Sequence, residues 1–171
     1  AIADAMMHND QVCTLNLDSN KILHLGAEAV AQALTSNSAL RSLSLCANRI
    51  GTDGGCSIAN VLLDANSTLS CLQLDSCHLS GAFFSAMAAA LRGGRCGLTE
   101  LSLSRNDAGD AGASVLVQAL SCNSALRALR LCSCGVSHAA AQRFLVVAGA
   151  VGRLDKLAFQ ADGPGRGIQE E

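Results

Sequence analysis

"LRSLSLCANRI", Leu40 to Ile50, sets three leucines in the order L-x-x-L-x-L and places Asn48 three residues after the last of them. Leu43 and Leu45 stand two apart, the spacing at which side chains of a β-strand share one face. The next segment, "GTDGGCSIANVLL" (51–63), sets Ile58 and Leu62 four apart among small residues, as on one face of a helix. A strand followed by a helix is compatible with many folds. Its recurrence narrows the choice.

The same motif occurs as "VCTLNL" from Val12, "LSCLQL" from Leu69, "LTELSL" from Leu98, "LRALRL" from Leu126 and "LDKLAF" from Leu154. Successive starts, with Leu40 in its place, are 28, 29, 29, 28 and 28 residues apart. Of the twelve paired positions that close the motif, eleven are Leu and one is Phe159, which chance does not produce. Thirteen residues beyond each pair come Val30, Ile58, Met87, Leu116 and Phe144, and four further on Leu34, Leu62, Leu91, Leu120 and Ala148. The segments between are Ala-rich and free of Pro, so each reads as an amphipathic helix. "NSAL" (37–40), "NSTL" (66–69) and "NSAL" (123–126) end three of these helices and lead into the next strand. The extra residue of the longer units falls in this return loop, where insertions are tolerated.

Strand, turn, helix and return to a parallel strand form a right-handed crossover. Stacked units of this kind make an α/β solenoid, a horseshoe arc with parallel β-strands on the concave side and α-helices on the convex side. The sheet takes the inside because helices are wider than the strand spacing of about 4.8 Å. With these residues in place, the chain resembles the leucine-rich repeats of the ribonuclease-inhibitor type, which also form the sensor ends of NLR proteins and occur in GTPase-activating proteins of the Ran system. The resemblance covers about residues 1–159 and is specific for the repeat subtype, not for function.

The expected organisation is a partial repeat (1–11), five full repeats (12–153), a partial repeat (154–159) and a flexible tail (160–171). "IADAMMHNDQV" (2–12) aligns with "VAQALTSNSAL" (30–40), so the chain opens inside a repeat's helix. Neither end offers the polar cap a solenoid needs, and the expectation is a fragment of a longer array.

With 15% charged residues and a net charge of −2, no strong field draws the chain to nucleic acid or anionic lipid, and neither is an expected partner. The longest apolar stretch (139–151) is interrupted by Gln142 and Arg143 and falls short of the roughly 20 residues of a membrane span. Nine cysteines, an odd number, suit a reduced cytoplasmic compartment in which Cys serves as a small apolar residue. The sequon at Asn66 would matter only in a secreted protein.

Residues flanking the core leucines point to the concave face. One column holds Thr14, Ser42, Cys71, Glu100, Ala128 and Lys156. The next holds Asn16, Ser44, Gln73, Ser102, Arg130 and Ala158. The third holds Asp18, Cys46, Asp75, Ser104, Cys132 and Gln160. From these come the candidate partner-binding residues: Asn16, Asp18, Gln73, Asp75, Glu100, Arg130 and Lys156, with Arg105 on a turn beyond. Arg130 is the one strand residue of a type enriched among interface anchors, and Arg49 joins Arg105 on the turns. Glu100 is expected beside Arg130 as a surface pair.

The expected function is binding of a protein partner through this face and the strand-to-helix loops. The alternative, carried by resemblance alone, is regulation of an enzyme, as a Ran-type GTPase activator or a ribonuclease inhibitor. No catalytic set, cofactor or metal site is expected. In "DSCH" (75–78), Cys77 takes the inward position that Asn20, Asn48 and Asn106 hold in other repeats, and Cys134 does the same. "GGRCG" and "GDAG" lack the Lys of a phosphate loop. Cys46 and Cys132, on the concave face, are the candidate reactive thiols, three repeats apart and too distant for a disulfide.

Overall fold

Each L-x-L triplet forms a short strand because its leucines turn inward together while small polar neighbours turn out. The computed structural model describes residues 1–152 and 154–160. The chain runs α1 (Ile2–His8), β1 (Thr14–Asn16), α2 (His24–Ser36), β2 (Ser42–Ser44), α3 (Gly51–Asp64) and β3 (Cys71–Gln73). It continues through α4 (Gly81–Arg92), β4 (Glu100–Ser102), α5 (Gly109–Cys122), β5 (Ala128–Cys132), α6 (His138–Val151) and β6 (Lys156–Gln160). The strands form one parallel sheet in the order β1-β2-β3-β4-β5-β6, and successive helices pack side by side behind it. This is the α/β leucine-rich repeat solenoid that the spacing predicts. The strand β6 runs to Gln160, and residues 161–171 of the expected tail lie outside the described residues.

The register matches the sequence columns: Thr14, Ser42, Cys71, Glu100, Ala128 and Lys156 are successive partners, as are the core leucines from Leu15 to Leu157. From Leu43 to Leu131 the paired leucines are at most 1% exposed, and the helix positions Ile58, Met87, Leu116 and Phe144 meet them from behind. Phe144 stacks on Phe159 with ring centroids 4.7 Å apart, closing the last described strand onto α6.

Two hydrogen-bond ladders hold the irregular segments. After each of the first five strands the chain turns through the left-handed region at Ser19, Ala47, Ser76, Arg105 and Ser133, and none of the five is glycine. Such a φ costs an L-residue roughly 1–2 kcal/mol. It recurs because the N–H groups of Ser19, Ala47, Ser76 and Arg105 each reach a carbonyl of the next repeat, at 2.8–2.9 Å. Inside the turn, Asn48 donates to the carbonyls of Leu17 and Leu45 and accepts the N–H groups of Asn20 and Ile22. Asn106 repeats this with Leu74, Leu103, Cys77 and Leu79.

Cys77 and Cys134 occupy the same position, fully buried, and their thiols donate to Leu45 and Leu103 carbonyls. At the helix-to-strand returns, Asn37, Asn66 and Asn123 form a second ladder. Each donates to a carbonyl one repeat back and accepts the two N–H groups that start its own strand.

Candidate protein-interaction face

The sheet surface is small, polar and partly closed upon itself. Asp18 accepts the Ser44 hydroxyl and the Cys46 N–H, and Asp75 accepts the Ser102 hydroxyl and the Ser104 N–H, at 2.7 Å each for the latter pair. Both acids therefore clamp their own strand to the next one. Serine at the middle column leaves room for the carboxylate, and Ser44 and Ser102 are buried beneath it. Asn16 accepts the Asp18 N–H, and Gln73 takes a long bond from Ser44 at 3.3 Å. Four of the eight candidate residues thus have internal partners.

Glu100, Arg130 and Lys156 are exposed and free of ion pairs with one another. The expected Glu100–Arg130 pair does not form: the register puts Glu100 beside Ala128 and Arg130 beside Ser102, leaving the two charges diagonal. Neither charge has an ion-pair partner among the described residues. Arg105 stands apart on the loop edge, where it lines a groove of about 410 Å³ with Ser76, His78, Asn106, Asp107 and Ser133. The structure thus divides the candidates between a strand surface and a loop edge.

Cys46 and Cys132 are half-buried, whereas the exposed thiols are Cys13 and Cys122. Burial is the main cause that pushes the Cys46 thiol above its ordinary range, and thiolate chemistry is correspondingly disfavoured. Burial is the main cause that pushes the Cys77 thiol up to about 12. No disulfide occurs among the described residues. In "DSCH", Asp75 is turned to Ser102, Cys77 is buried and His78 is exposed on a left-handed turn residue, so the three diverge. Among the described residues no group of three or more His, Cys, Asp or Glu could hold a metal ion.

On the helical side, Asp110 of α5 accepts both the N–H and the hydroxyl of Ser137, each at 2.7 Å. Ser137 in turn caps α6 by accepting the Ala140 N–H. The backbone N–H bond is the first cause that holds the Asp110 carboxyl below its usual range. The sequence reading missed this clip and also Lys21 and Leu23 on the first strand-to-helix loop, with Leu25 in the first turn of α2. The signal for the leucines was present: aligned repeats carry small or polar residues at both positions.

By its similarity to the relatives that follow, the chain belongs to the leucine-rich repeat proteins of the ribonuclease-inhibitor and NLR-like type, in keeping with its repeat length and register. No family model matches the chain. It is 34% identical over 158 residues to the ribonuclease inhibitor of Sus scrofa, covering 91% of this chain and 34% of that protein. It is 35% identical over 127 residues to NACHT, LRR and PYD domains-containing protein 5 of Bos taurus, covering 74% of this chain and 11% of that protein. With NACHT, LRR and PYD domains-containing protein 12 of Mus musculus the identity is 32% over 152 residues, 85% of this chain and 14% of that protein. The chain therefore spans about a third of the length of the inhibitor and less of the others.

Among solved structures, the tropomodulin C-terminal domain of Caenorhabditis elegans superimposes with a TM-score of 0.70 at 12% identity, covering 89% of this chain and 94% of that one. Leiomodin-1 actin-binding site 2 gives 0.56 at 16% identity, covering 94% and 78%. These two share the fold.

Proposed function

We propose that the chain is a non-enzymatic, cofactor-free interaction module that holds a protein partner on the strand surface and the strand-to-helix loops. The observation that carries this reading is the exposure of Glu100, Arg130 and Lys156, without ion pairs among the described residues, on a sheet whose inward face is packed from Leu43 to Leu131. An interface gains most from a few anchors, and Arg130 is of the favoured type. A cytoplasmic location is part of the proposal, supported by nine cysteines without a disulfide among the described residues. No helix among those residues is long and apolar enough to cross a membrane.

Identity to a ribonuclease inhibitor favours enzyme inhibition as a second reading. Asp18 and Asp75 weigh against it, because both carboxylates serve neighbouring strands and leave little acidic surface for a basic enzyme. Affinity capture from cell extract, followed by titration of the captured protein, tests the first reading. Arg130→Glu with Glu100→Lys should weaken that complex about tenfold or more. Unchanged binding by the double variant would overturn the strand-surface assignment.

A further inference from the structure

We infer that the first two strand-to-helix loops form a docking site for an acidic, leucine-bearing segment of a partner protein. The inference rests on the reading of the chain as an interaction module, but uses residues remote from Arg130. The groove between these loops measures about 500 Å³ and is lined by Ser19, Lys21, Leu23, Ala47 and Arg49. A parallel backbone bridge between Leu23 and Arg49 fixes its two sides. Lys21 and Arg49 occupy one aligned position in successive repeats, both exposed, and no described carboxylate lies within ion-pair distance of either. The Asp18 carboxylate is turned to Ser44 and the Cys46 N–H and does not neutralise them. At that aligned position the later repeats carry His78, Asp107 and Gly135, so Lys or Arg occupies it only in these two successive repeats, and Arg105 lies further along the loop edge in the neighbouring groove.

The apolar half of the site is equally local. Leu23 is 54% and Leu25 is 67% exposed. The Leu25 position is solvent-facing in every full repeat, where it otherwise holds Asp53, Ala82, Ala111 and Ala139. At the Leu23 position the other repeats have Gly51, Ser80, Gly109 and Ser137. The other repeats thus carry small or polar residues at both places, and neither leucine belongs to the packed core. Two exposed cations flanking a groove with an apolar lip complement a segment that alternates carboxylates with large aliphatic side chains.

The test uses the ¹⁵N-labelled chain and a capped hexapeptide of alternating leucine and glutamate, with a leucine–glutamine peptide as control. The acidic peptide should shift amides of residues 19–25 and 47–49 and little else. Lys21→Glu with Arg49→Glu should weaken binding about tenfold, and so should raising salt from about 50 to 300 mM. Leu25→Ser should also weaken it, whereas Arg130→Glu should leave it unchanged. Equal affinity for the glutamine peptide, shifts centred on the strand surface, or no shift at millimolar peptide would each overturn the site. Self-association abolished by Leu25→Ser in sedimentation runs would overturn it too, because the leucines would then pair copies of the chain. Failure of these arms leaves the Arg130 test standing, so the two readings fail separately.

Discussion

Asn48 shows how much one side chain contributes when it serves two repeats. Its amide hydrogens and oxygen bind four backbone groups in two adjacent turns, and it is 1% exposed. Asn20 holds the same sequence position but is exposed and donates within its own turn, to Asp18. Leaving buried backbone groups unsatisfied costs about 1–3 kcal/mol each. Asn48→Ala should therefore lower the unfolding free energy in urea by at least about 2 kcal/mol, and Asn20→Ala by less than about 1 kcal/mol. Equal losses would contradict the ladder. Repeat alignment alone identifies the inward position, including its occupation by Cys77 and Cys134. It does not tell which repeat supplies the bonded carbonyls. The sequon at Asn66 is resolved at this scale as well: both amide hydrogens of this buried residue are engaged, by Leu34 and Asn37.

At the scale of elements, successive helices are clipped together at their starts. Thr52 of α3 meets Ser80 before α4 at 2.8 Å, and Asp110 of α5 meets Ser137 before α6. The depressed Asp110 value sets the sign of its pH effect. Its contribution is present above the unfolded carboxylate value near 4 and is lost as pH falls through the lower folded value. Thermal unfolding of Asp110→Asn should thus lie below wild type at pH 6, with the gap closing as pH falls toward about 2.5. A gap that widens on acidification would refute the clip. The return from α4 to β4 departs from three of its relatives, since "RGGRCGL" (92–98) stands where the returns at 37–40, 66–69 and 123–126 carry N-S-x-L. A Cβ on Gly97 would stand 2.3 Å from the Ser67 carbonyl oxygen, so this return approaches its neighbour closely. The sequence marks the exception by its glycines, and the close approach is visible only in three dimensions.

Over the whole molecule, each inner repeat buries its leucines against two neighbours, so damage spreads. Leu103→Ala in the central β4 turn region should cost about 2–5 kcal/mol and unfold several repeats together, read as one shifted transition by circular dichroism. A loss below about 1 kcal/mol would mean that Leu103 is not packed as described. The sequence by itself determined the repeat length, the strand register, the inward and outward columns and the helical convex side. All of these follow from local periodicity multiplied by stacking, and six copies of one motif make the pattern unambiguous. Tertiary structure alone decided which outward residues are available. Asp18 and Asp75 are engaged by the next strand, and Glu100 and Arg130 miss each other by one diagonal. Lys21 and Arg49 join across a groove with Leu23. Those outcomes depend on contacts between side chains about 28 residues apart, which the order of residues along one strand does not encode.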